Sequence, residues 1–311
     1  MSVNPSEITN TSYTCELNEK GIIELKGQDR ITYLQGQVTA DIESLSESTS
    51  LLSCHCDFKG KVWSVSTVLP WKESLLLLTH SSVLTTSLTE LKKYGVFAKV
   101  EIENTSENWQ VFGGKGPKFE DHIIKNFGQL PKGHQSILSS DAGIVVSIET
   151  PSQRYLVLQQ KGTQAPQLEN EKQSWEFDDI MSGLAEVREN TSNEYVPQML
   201  NLQALNAINF EKGCYMGQEV VARTKYLGRN KRATFILSSD TNLEDLTGDS
   251  LEYQVGDNWR PGGKILRSAA IKNQTAILAV LPIDTDISSI FRLKSKPDIK
   301  FITQILPYEI Q

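Results

Sequence analysis

The chain has 311 residues, of which 39% are hydrophobic and 22% are charged, and its net charge is −7. This composition supports a hydrophobic core and excludes a wholly disordered chain, and the length predicts two or three domains. An acidic protein does not bind nucleic acid over its whole surface, so any RNA contact must use a local basic patch. The four cysteines are too few for a disulfide scaffold and indicate reduced thiols.

The sequence carries no signal for a membrane or for export. No stretch of about 18 apolar residues occurs. Residues 1–10 are polar and include Glu7, whereas a signal peptide has basic residues followed by apolar ones. We therefore expect a soluble, cytoplasmic protein that has no membrane partner.

A first α+β unit is predicted over residues 1–105. Asp29 is suited to capping a helix over 30–35, and a second helix is predicted over 82–94, where Gly95 would end it. A turn is expected at 70–72. Runs of apolar residues predict strands at 21–25, 51–56, 62–69, 74–79 and 96–102.

A second unit is predicted over residues 106–230, and a third is predicted over residues 231–311. The second unit is expected to contain helices at 119–127, 175–184 and 202–208, strands at 143–148 and 155–158, and a polar surface segment at 159–174. Short strands separated by turns predict a small all-β domain or barrel in the third unit. These strands are placed at 233–237, 263–268, 275–280 and 291–293.

The most informative segment is a cysteine between two glycines. Cys214 lies between Gly213 and Gly217, and Gly217 opens a segment with helical spacing. Glycines at these positions let the backbone turn tightly and approach a ligand. Lys212 and the helix N-terminus favour the thiolate form of Cys214, whereas Glu211 opposes it. The alternative is a structural cysteine buried in a glycine-containing turn, because free cysteines are among the most buried residues.

The same segment resembles a family signature. Residues 212–219 read KGCYMGQE, which resembles the KGCYxGQE signature of the YgfZ family, folate-binding proteins related to the aminomethyltransferase of the glycine cleavage system. Further blocks that resemble the family keep their order along the chain: YLQGQVTAD at 33–41, HCDFKGKVW at 55–63, LKKYGVF at 91–97, PQ and NLQAL within 197–205, and NKRA at 230–233. Because the order is kept, the resemblance does not rest on the signature alone.

The resemblance implies a fold, a ligand and a role. The fold would be α+β with an aminomethyltransferase-like three-domain arrangement: two α+β units, one of them ferredoxin-like, and a C-terminal β-barrel around a cleft for tetrahydrofolate. Members support the maturation or repair of iron–sulfur enzymes, notably the tRNA methylthiotransferase, and are not known to modify tRNA by themselves. A reduced folate and such client enzymes would be the partners, and whether the chain turns over a substrate stays open.

The resemblance also implies site residues. The family's functional thiol corresponds to Cys214, and Lys212, Gln218 and Glu219 are the other signature residues expected in the site. A tryptophan that contributes to folate binding in the family is matched by Trp175, whose aromatic face is suited to stacking on a ligand ring or to packing in a core. A second family tryptophan, on the first strand, is replaced by Lys20, which puts the folate affinity in question but not the fold.

A basic segment follows the signature. Residues 223–232 include five basic side chains and no acidic one, namely Arg223, Lys225, Arg229, Lys231 and Arg232. A segment of this kind suits RNA phosphates, the glutamyl tail of folate or an acidic partner protein, so we treat it as a possible docking surface. A solvated basic face is the alternative.

Two further groups of residues are candidates for a site. In a strand, Cys54 and Cys56 share one face while His55 lies on the other, and no second ligand pair is near in sequence. Ordinary strand packing is therefore the better interpretation, and no metal site is predicted. Asp57, Lys59 and Lys61 form a charged hairpin turn that lies either along the cleft or in solvent.

Two other functions remain open. A folate-dependent aminomethyltransferase would resemble a pattern of Gly-Gly-Ile followed closely by paired aspartates, but residues 60–66 contain no acid. The transferase also has an acidic residue where this chain has Cys214. An RNA-binding accessory module is permitted by the basic segment and disfavoured by the net charge.

Overall fold

The computed structural model of the protein describes residues 11–169, 172–228 and 230–310. These residues form five α-helices: α1 (Arg30–Gln35), α2 (Ser81–Gly95), α3 (Pro117–Phe127), α4 (Lys172–Met181) and α5 (Gln218–Tyr226). They form sixteen strands: β1 (Tyr13–Glu16), β2 (Lys20–Lys26), β3 (Leu51–Cys56), β4 (Val62–Trp71), β5 (Ser74–His80), β6 (Glu101–Asn104), β7 (Trp109–Lys115), β8 (Ile137–Ser140), β9 (Gly143–Ile148), β10 (Arg154–Gln160), β11 (Arg232–Ser239), β12 (Ser250–Val255), β13 (Asn258–Ile271), β14 (Gln274–Pro282), β15 (Ile290–Leu293) and β16 (Lys300–Gln304).

The first sheet is covered on both faces. It is antiparallel, with the strand order β3-β4-β5-β2-β6. Ile22 and Leu76 enter a core shared with the second sheet, whereas Ile23 and Leu77 enter a core under α1 and α2. Burial on both faces explains why β5 reads as a continuous apolar run rather than as an alternating one.

The second sheet has the strand order β1-β7-β10-β9-β8. Helix α3 covers its outer face, where Phe119 and Ile123 pack against Phe112 and Val157. Strand β1 precedes the first sheet in the chain but pairs with β7, so residues 1–105 also contribute to the second sheet. The chain otherwise passes from the first sheet to the second between β6 and β7.

The C-terminal strands close into a six-stranded barrel in the order β11-β14-β13-β12-β15-β16. Its interior is filled by apolar side chains that include Phe235, Phe291 and Phe301. The pairing of β13 with β14 is shifted between Ile265 and Arg267, as it is at a β-bulge. Because of this shift, Arg267 leaves the barrel and binds α4 instead of following the alternation into the interior.

Helix α4 is buried between the second sheet and the barrel, and three of its buried side chains are acidic. Four ion pairs of these acids have N–O distances of 2.7 Å: Glu176 with Arg267, Asp178 with Lys115, and Asp179 with both Arg154 and Arg267. The bases come from β7, β10 and β13, so the pairs join α4 to the second sheet and to the barrel. Removing one partner of a buried pair costs about 3–5 kcal/mol, and these contacts therefore fix the placement of the units.

The α+β class and the C-terminal barrel predicted from the sequence are confirmed. Helix α1 and strands β3 and β9 have the predicted bounds. Helix α4 begins at Lys172, earlier than predicted, so Trp175 lies within its first turns. None of the described helices combines the length and the apolar composition that crossing a membrane requires.

The helix predicted over 202–208 is wrong. A short 3-10 helix at Pro197–Leu200 is followed by turns rather than by an α-helix. Asn201 and Asn206 take φ angles of 55° and 56°, which lie in the left-handed region and interrupt a right-handed helix. The apolar spacing of this segment reflects burial against the core, because Leu202, Ala207 and Ile208 are all buried.

Two strand boundaries in the first unit also differ from the prediction. Residues 96–100 are a turn and bend after α2, so only β6 remains of the strand predicted over 96–102. Strand β4 continues through Pro70 and Trp71, and the chain turns at Lys72, which has a φ of 50°.

The buried ion pairs of α4 predict an asymmetric response to mutation. Arg267→Met should lower the free energy of unfolding by about 3–5 kcal/mol, because Glu176 and Asp179 lose a buried partner. The matched control is Lys118→Met, which breaks an ion pair with Glu169 in which the lysine is 66% exposed and should cost about 1 kcal/mol or less. Urea unfolding measures both values, and equal losses in the two variants would contradict the structural role of the α4 pairs.

Candidate functional site

The signature turn, residues 209–217, is attached to the segment that follows α1. The backbone N–H of Asn209 donates to the carbonyl of Thr39 at 2.9 Å, and that of Met216 donates to the carbonyl of Gly36 at 3.1 Å. The side-chain oxygen of Asn209 accepts hydrogen bonds from the N–H groups of Glu211 and Lys212 at 2.8 and 2.9 Å. The turn is therefore held at both of its ends.

Lys212 clamps the turn onto the first unit. Its ammonium donates to three backbone carbonyls, those of Gln35 at 2.6 Å, Val38 at 2.9 Å and Ala40 at 2.6 Å. Burial lowers the pKa of Lys212 to about 8, although the nearby Asp41 and Glu43 oppose this shift. Because three N–H donors meet three carbonyls, the hydrogen bonds of Lys212 serve the backbone rather than the thiol of Cys214.

Gly217 begins α5 and needs to be glycine. Its φ is 82°, and a β-carbon there would lie 2.5 Å from the carbonyl oxygen of Asp57 and 2.9 Å from the α-carbon of Gly60. A carboxylate oxygen of Asp57 accepts the N–H groups of Lys59 and Lys61, each at 2.8 Å, which shapes the hairpin. The charged hairpin turn therefore supports the signature, and the requirement for a tight turn is confirmed at Gly217.

Cys214 is exposed, whereas Cys15, Cys54 and Cys56 are buried. A β-carbon built on the neighbouring Gly213 would meet nothing within 4 Å, so this part of the turn faces open space. The alternative of a buried structural cysteine at position 214 is thereby excluded.

Two further signature residues, Gln218 and Glu219, form contacts that do not involve the thiol. The side-chain amide of Gln218 donates to the carbonyls of Lys212 and Gly213 at 3.5 and 3.4 Å and closes the turn. Glu219 is exposed and forms an ion pair with Arg223 one helical turn later. Gln218 is thus a structural element of the turn, and Glu219 lies at its solvent edge.

Tyr215 points inward, towards the two cysteines of β3. Burial raises the pKa of the Tyr215 phenol well above its usual value, and the nearby thiols of Cys54 and Cys56 add to the shift. The two sulfur atoms are 3.7 Å apart on one face of the strand, whereas His55 on the other face bonds Ser87 at 2.9 Å. Burial lowers the pKa of His55 to about 3. The predicted strand packing is confirmed.

No group of three or more metal-ligating side chains occurs within residues 11–169, 172–228 and 230–310.

A channel runs between the first and second sheets. It consists of two adjoining cavities, of about 250 and 70 Å³, whose shared wall is formed by Leu52, Thr67, Ile148, Leu156 and Leu184. The larger cavity is also lined by residues 204–206, which lead into the signature, and by Arg154. Cys214 lines neither cavity, so the thiol and the channel are separate features connected by the chain between them.

Trp175 lies at the smaller cavity but is 3% exposed. The guanidinium carbon of Arg154 lies 4.5 Å from the centre of its ring, and a β-carbon on Gly113 would come within 2.3 Å of that ring. The indole ring is thus already stacked on Arg154 and packed against β7. Its buried ring N–H has no hydrogen-bond partner among the described residues.

Lys20 places an ion pair in the channel. It begins β2, and its ammonium binds the carboxylate of Glu186. Both residues line the smaller cavity, together with Asp179 and Arg267. Sequence reasoning identified Lys20 only as a lost tryptophan and missed its partner Glu186, which lies 166 positions away in the chain and carries no local signal.

The basic segment connects α5 to the barrel. Arg223 forms an ion pair with Glu219, and the ammonium of Lys225 lies 3.8 Å from the ring centre of Phe210. Lys231 and Arg232 are exposed. Arg229 lies outside the residues that the structure describes.

Comparison with known proteins links this geometry to a family. The description "YgfZ, beta-barrel domain" matches residues 230–296. Proteins named tRNA-modifying protein YgfZ align over nearly the whole chain. That of Colwellia psychrerythraea is 39% identical over 96% of this chain and 94% of its own, and that of Pectobacterium carotovorum is 35% identical over 94% and 91%. That of Yersinia enterocolitica is 36% identical over 94% and 92%.

A solved structure shows the same fold. Aminomethyltransferase T of the glycine cleavage system from Bartonella henselae aligns with 99% of this chain and 89% of its own, with a TM-score of 0.73 and 11% identity. At this identity the likeness concerns the fold alone, and the predicted aminomethyltransferase-like arrangement is confirmed. On the strength of the curated relatives, which align with at least 94% of its length, the chain belongs to the YgfZ family.

Proposed function

We propose that the protein binds a reduced folate, tetrahydrofolate or a close relative, in the channel. In this proposal the thiol of Cys214 supports the maturation or repair of iron–sulfur enzymes in the cytoplasm. The clients include the tRNA methylthiotransferase, which connects the chain to tRNA modification. The observation that carries the proposal is an exposed cysteine on a turn held by Lys212 and Gly217. The tRNA-modifying name of the relatives supports it.

The residues of the channel fit a reduced folate. Ile148, Leu156 and Leu184 offer apolar walls for a ring. The ring N–H of Trp175 and the Nε and Nη1 groups of Arg154 are buried and lack partners among the described residues. The larger cavity, of about 250 Å³, is somewhat smaller than most drug-sized ligand pockets, which suits a ring with its tail in solvent. When bound, a reduced folate supplies a carrier for one-carbon units.

The thiol is suited to contact a partner rather than the interior of this protein. A thiolate is the form of cysteine that binds metal or attacks a disulfide or electrophile. Exposure lets Cys214 reach a cluster or a cysteine on a client enzyme, and the hydrogen bonds around the turn keep its position fixed. An aminomethyltransferase activity is less well supported, because no acid occupies residues 60–66 or position 214.

Direct contact with tRNA is a second proposal, which rests on the basic segment. Lys231 and Arg232 are exposed and form no ion pair within the described parts of the chain. Cations of this kind suit phosphate groups.

Folate binding predicts thermal stabilisation. At a ligand concentration about 100 times the Kd, tetrahydrofolate should raise the melting temperature by about 5 °C, because it binds only the folded state. It should also change the tryptophan fluorescence. Trp175→Phe should remove most of that change, whereas Trp259→Phe, in the barrel between Arg292 and Lys300, should retain it. No change in melting temperature or fluorescence at millimolar ligand would refute folate binding.

The role of the thiol predicts a variant that folds but does not function. Cys214→Ser should keep the free energy of unfolding within about 0.5 kcal/mol of wild type, since the side chain is exposed. It should fail to restore methylthiolated tRNA in a strain that lacks the endogenous protein. Cys15→Ser is the control, which removes a buried thiol and should restore the modification despite some loss of stability. Full complementation by a stable Cys214→Ser protein would contradict the thiol mechanism.

The basic segment predicts a salt-dependent interaction with tRNA. The double variant Lys231→Glu, Arg232→Glu should bind tRNA more weakly, and the slope of log K against log salt should flatten by about 1 for each phosphate that the variant no longer neutralises. The control is Lys92→Glu, Lys93→Glu, which makes the same charge change at exposed positions of α2. Equal weakening of tRNA binding in both double variants would show that the effect comes from net charge. It would contradict a specific role of the basic segment and favour the alternative of a solvated face.

A further inference from the structure

A chain of alternating charges crosses the centre of the molecule. It joins seven side chains through ion pairs, in the order Lys20, Glu186, Arg188, Glu176, Arg267, Asp179 and Arg154. The chain begins and ends with a cation and therefore carries one positive charge in excess. Both of its ends, Lys20 and Arg154, line the channel.

Arg154 uses only one of its three nitrogens. The side chain is 0% exposed, and Nη2 contacts Asp179 at 2.7 Å, Ser182 at 3.2 Å and the carbonyl of Thr150 at 3.5 Å. The other two nitrogens, Nε and Nη1, are buried without a partner among the described residues. A buried charged donor that lacks an acceptor is unfavourable, so these nitrogens are poised for an acceptor that the protein does not supply.

Arg267 shows what a purely structural arginine looks like in the same chain of charges. Its Nε and Nη2 bind the carboxylate of Glu176 at 2.8 and 2.7 Å, and its Nη1 donates to the carbonyl of Leu184 at 3.1 Å. All three nitrogens of Arg267 are therefore satisfied. The two arginines share Asp179, but only Arg154 keeps free donors and lines the larger cavity.

We propose that Arg154 is a specificity residue that binds an oxygen acceptor of the ligand in the larger cavity. The acceptor is either the carbonyl oxygen of the pterin ring or a carboxylate of the glutamyl tail, since both offer lone pairs to a guanidinium. The excess positive charge of the chain of charges and the donor-only character of the guanidinium select such an oxygen against an amino group at the same place. This inference rests on the proposed folate function and names the contact through which the channel recognises its ligand.

The test is calorimetric titration of Arg154→Lys beside the wild type. Lysine keeps the charge that faces Asp179 and removes the two unused guanidinium donors. Tetrahydrofolate should bind this variant about 10- to 150-fold more weakly, the factor that corresponds to loss of a charged hydrogen bond. The matched control is Lys115→Arg, a buried base paired with Asp178 on the same helix that lines neither cavity, and it should change the affinity less than threefold, about the context error of such measurements.

Two fragments distinguish the sources of the acceptor. A tetrahydropterin without the tail tests the ring carbonyl, and p-aminobenzoylglutamate tests the carboxylates. The fragment that holds the acceptor should lose affinity in Arg154→Lys. Ligand-side changes test the wild type directly and do not depend on the variant folding: a 4-amino pteridine replaces the ring carbonyl by a donor, and a diester removes the tail charges. At least one of these changes should weaken binding by a similar factor.

The outcomes separate this inference from the folate proposal. Equal affinity of wild type and Arg154→Lys for tetrahydrofolate would overturn the role of Arg154 and leave folate binding intact. Unchanged affinity of the wild type for both altered ligands would do the same. Failure of the wild type to bind tetrahydrofolate would overturn the folate proposal and this inference with it.

Discussion

Three buried carboxylates on α4 determine how the parts of this protein meet. Glu176, Asp178 and Asp179 form ion pairs with bases from the second sheet and the barrel. Both partners of each of these pairs are largely shielded from water. Charges placed in such an interior need their partners, so any displacement of the barrel relative to the sheets would leave an unpaired ion. The same helix borders the channel, which means that the residues that assemble the fold also set the charge that a ligand encounters.

The signature divides into residues that build the turn and one residue that the turn presents. The side chains of Lys212 and Gln218 donate hydrogen bonds to backbone carbonyls. Gly217 allows the charged hairpin turn to lie close to the signature turn. Cys214 is the only one of the four cysteines that is exposed. The channel lies elsewhere, between the two sheets, and connects to the turn through residues 204–206. In the proposed function, ligand binding and thiol chemistry thus use different surfaces that share one segment of backbone.

The sequence was informative where local pattern decides structure. The glycines and helical spacing predicted the turn at Cys214 and the start of α5, and runs of apolar residues predicted most strands of the first sheet. The sequence pattern did not predict the features that depend on contacts between residues far apart in the chain. Strand β7 contains Gly113 and Gly114, against which Trp175 and Phe119 pack, and no local pattern indicates these contacts. The ion pair between Lys20 and Glu186 spans 166 positions, and no local spacing indicates it.

The central claim is that the channel between the sheets holds the folate while the thiol stays free. A crystal structure with tetrahydrofolate tests this most directly. The account predicts ligand density between Ile148, Leu156 and Leu184, with an oxygen of the ligand within hydrogen-bond distance of Arg154 and with Cys214 uncovered. Density that lies on the signature turn instead, or a channel that stays empty at saturating ligand, would contradict it.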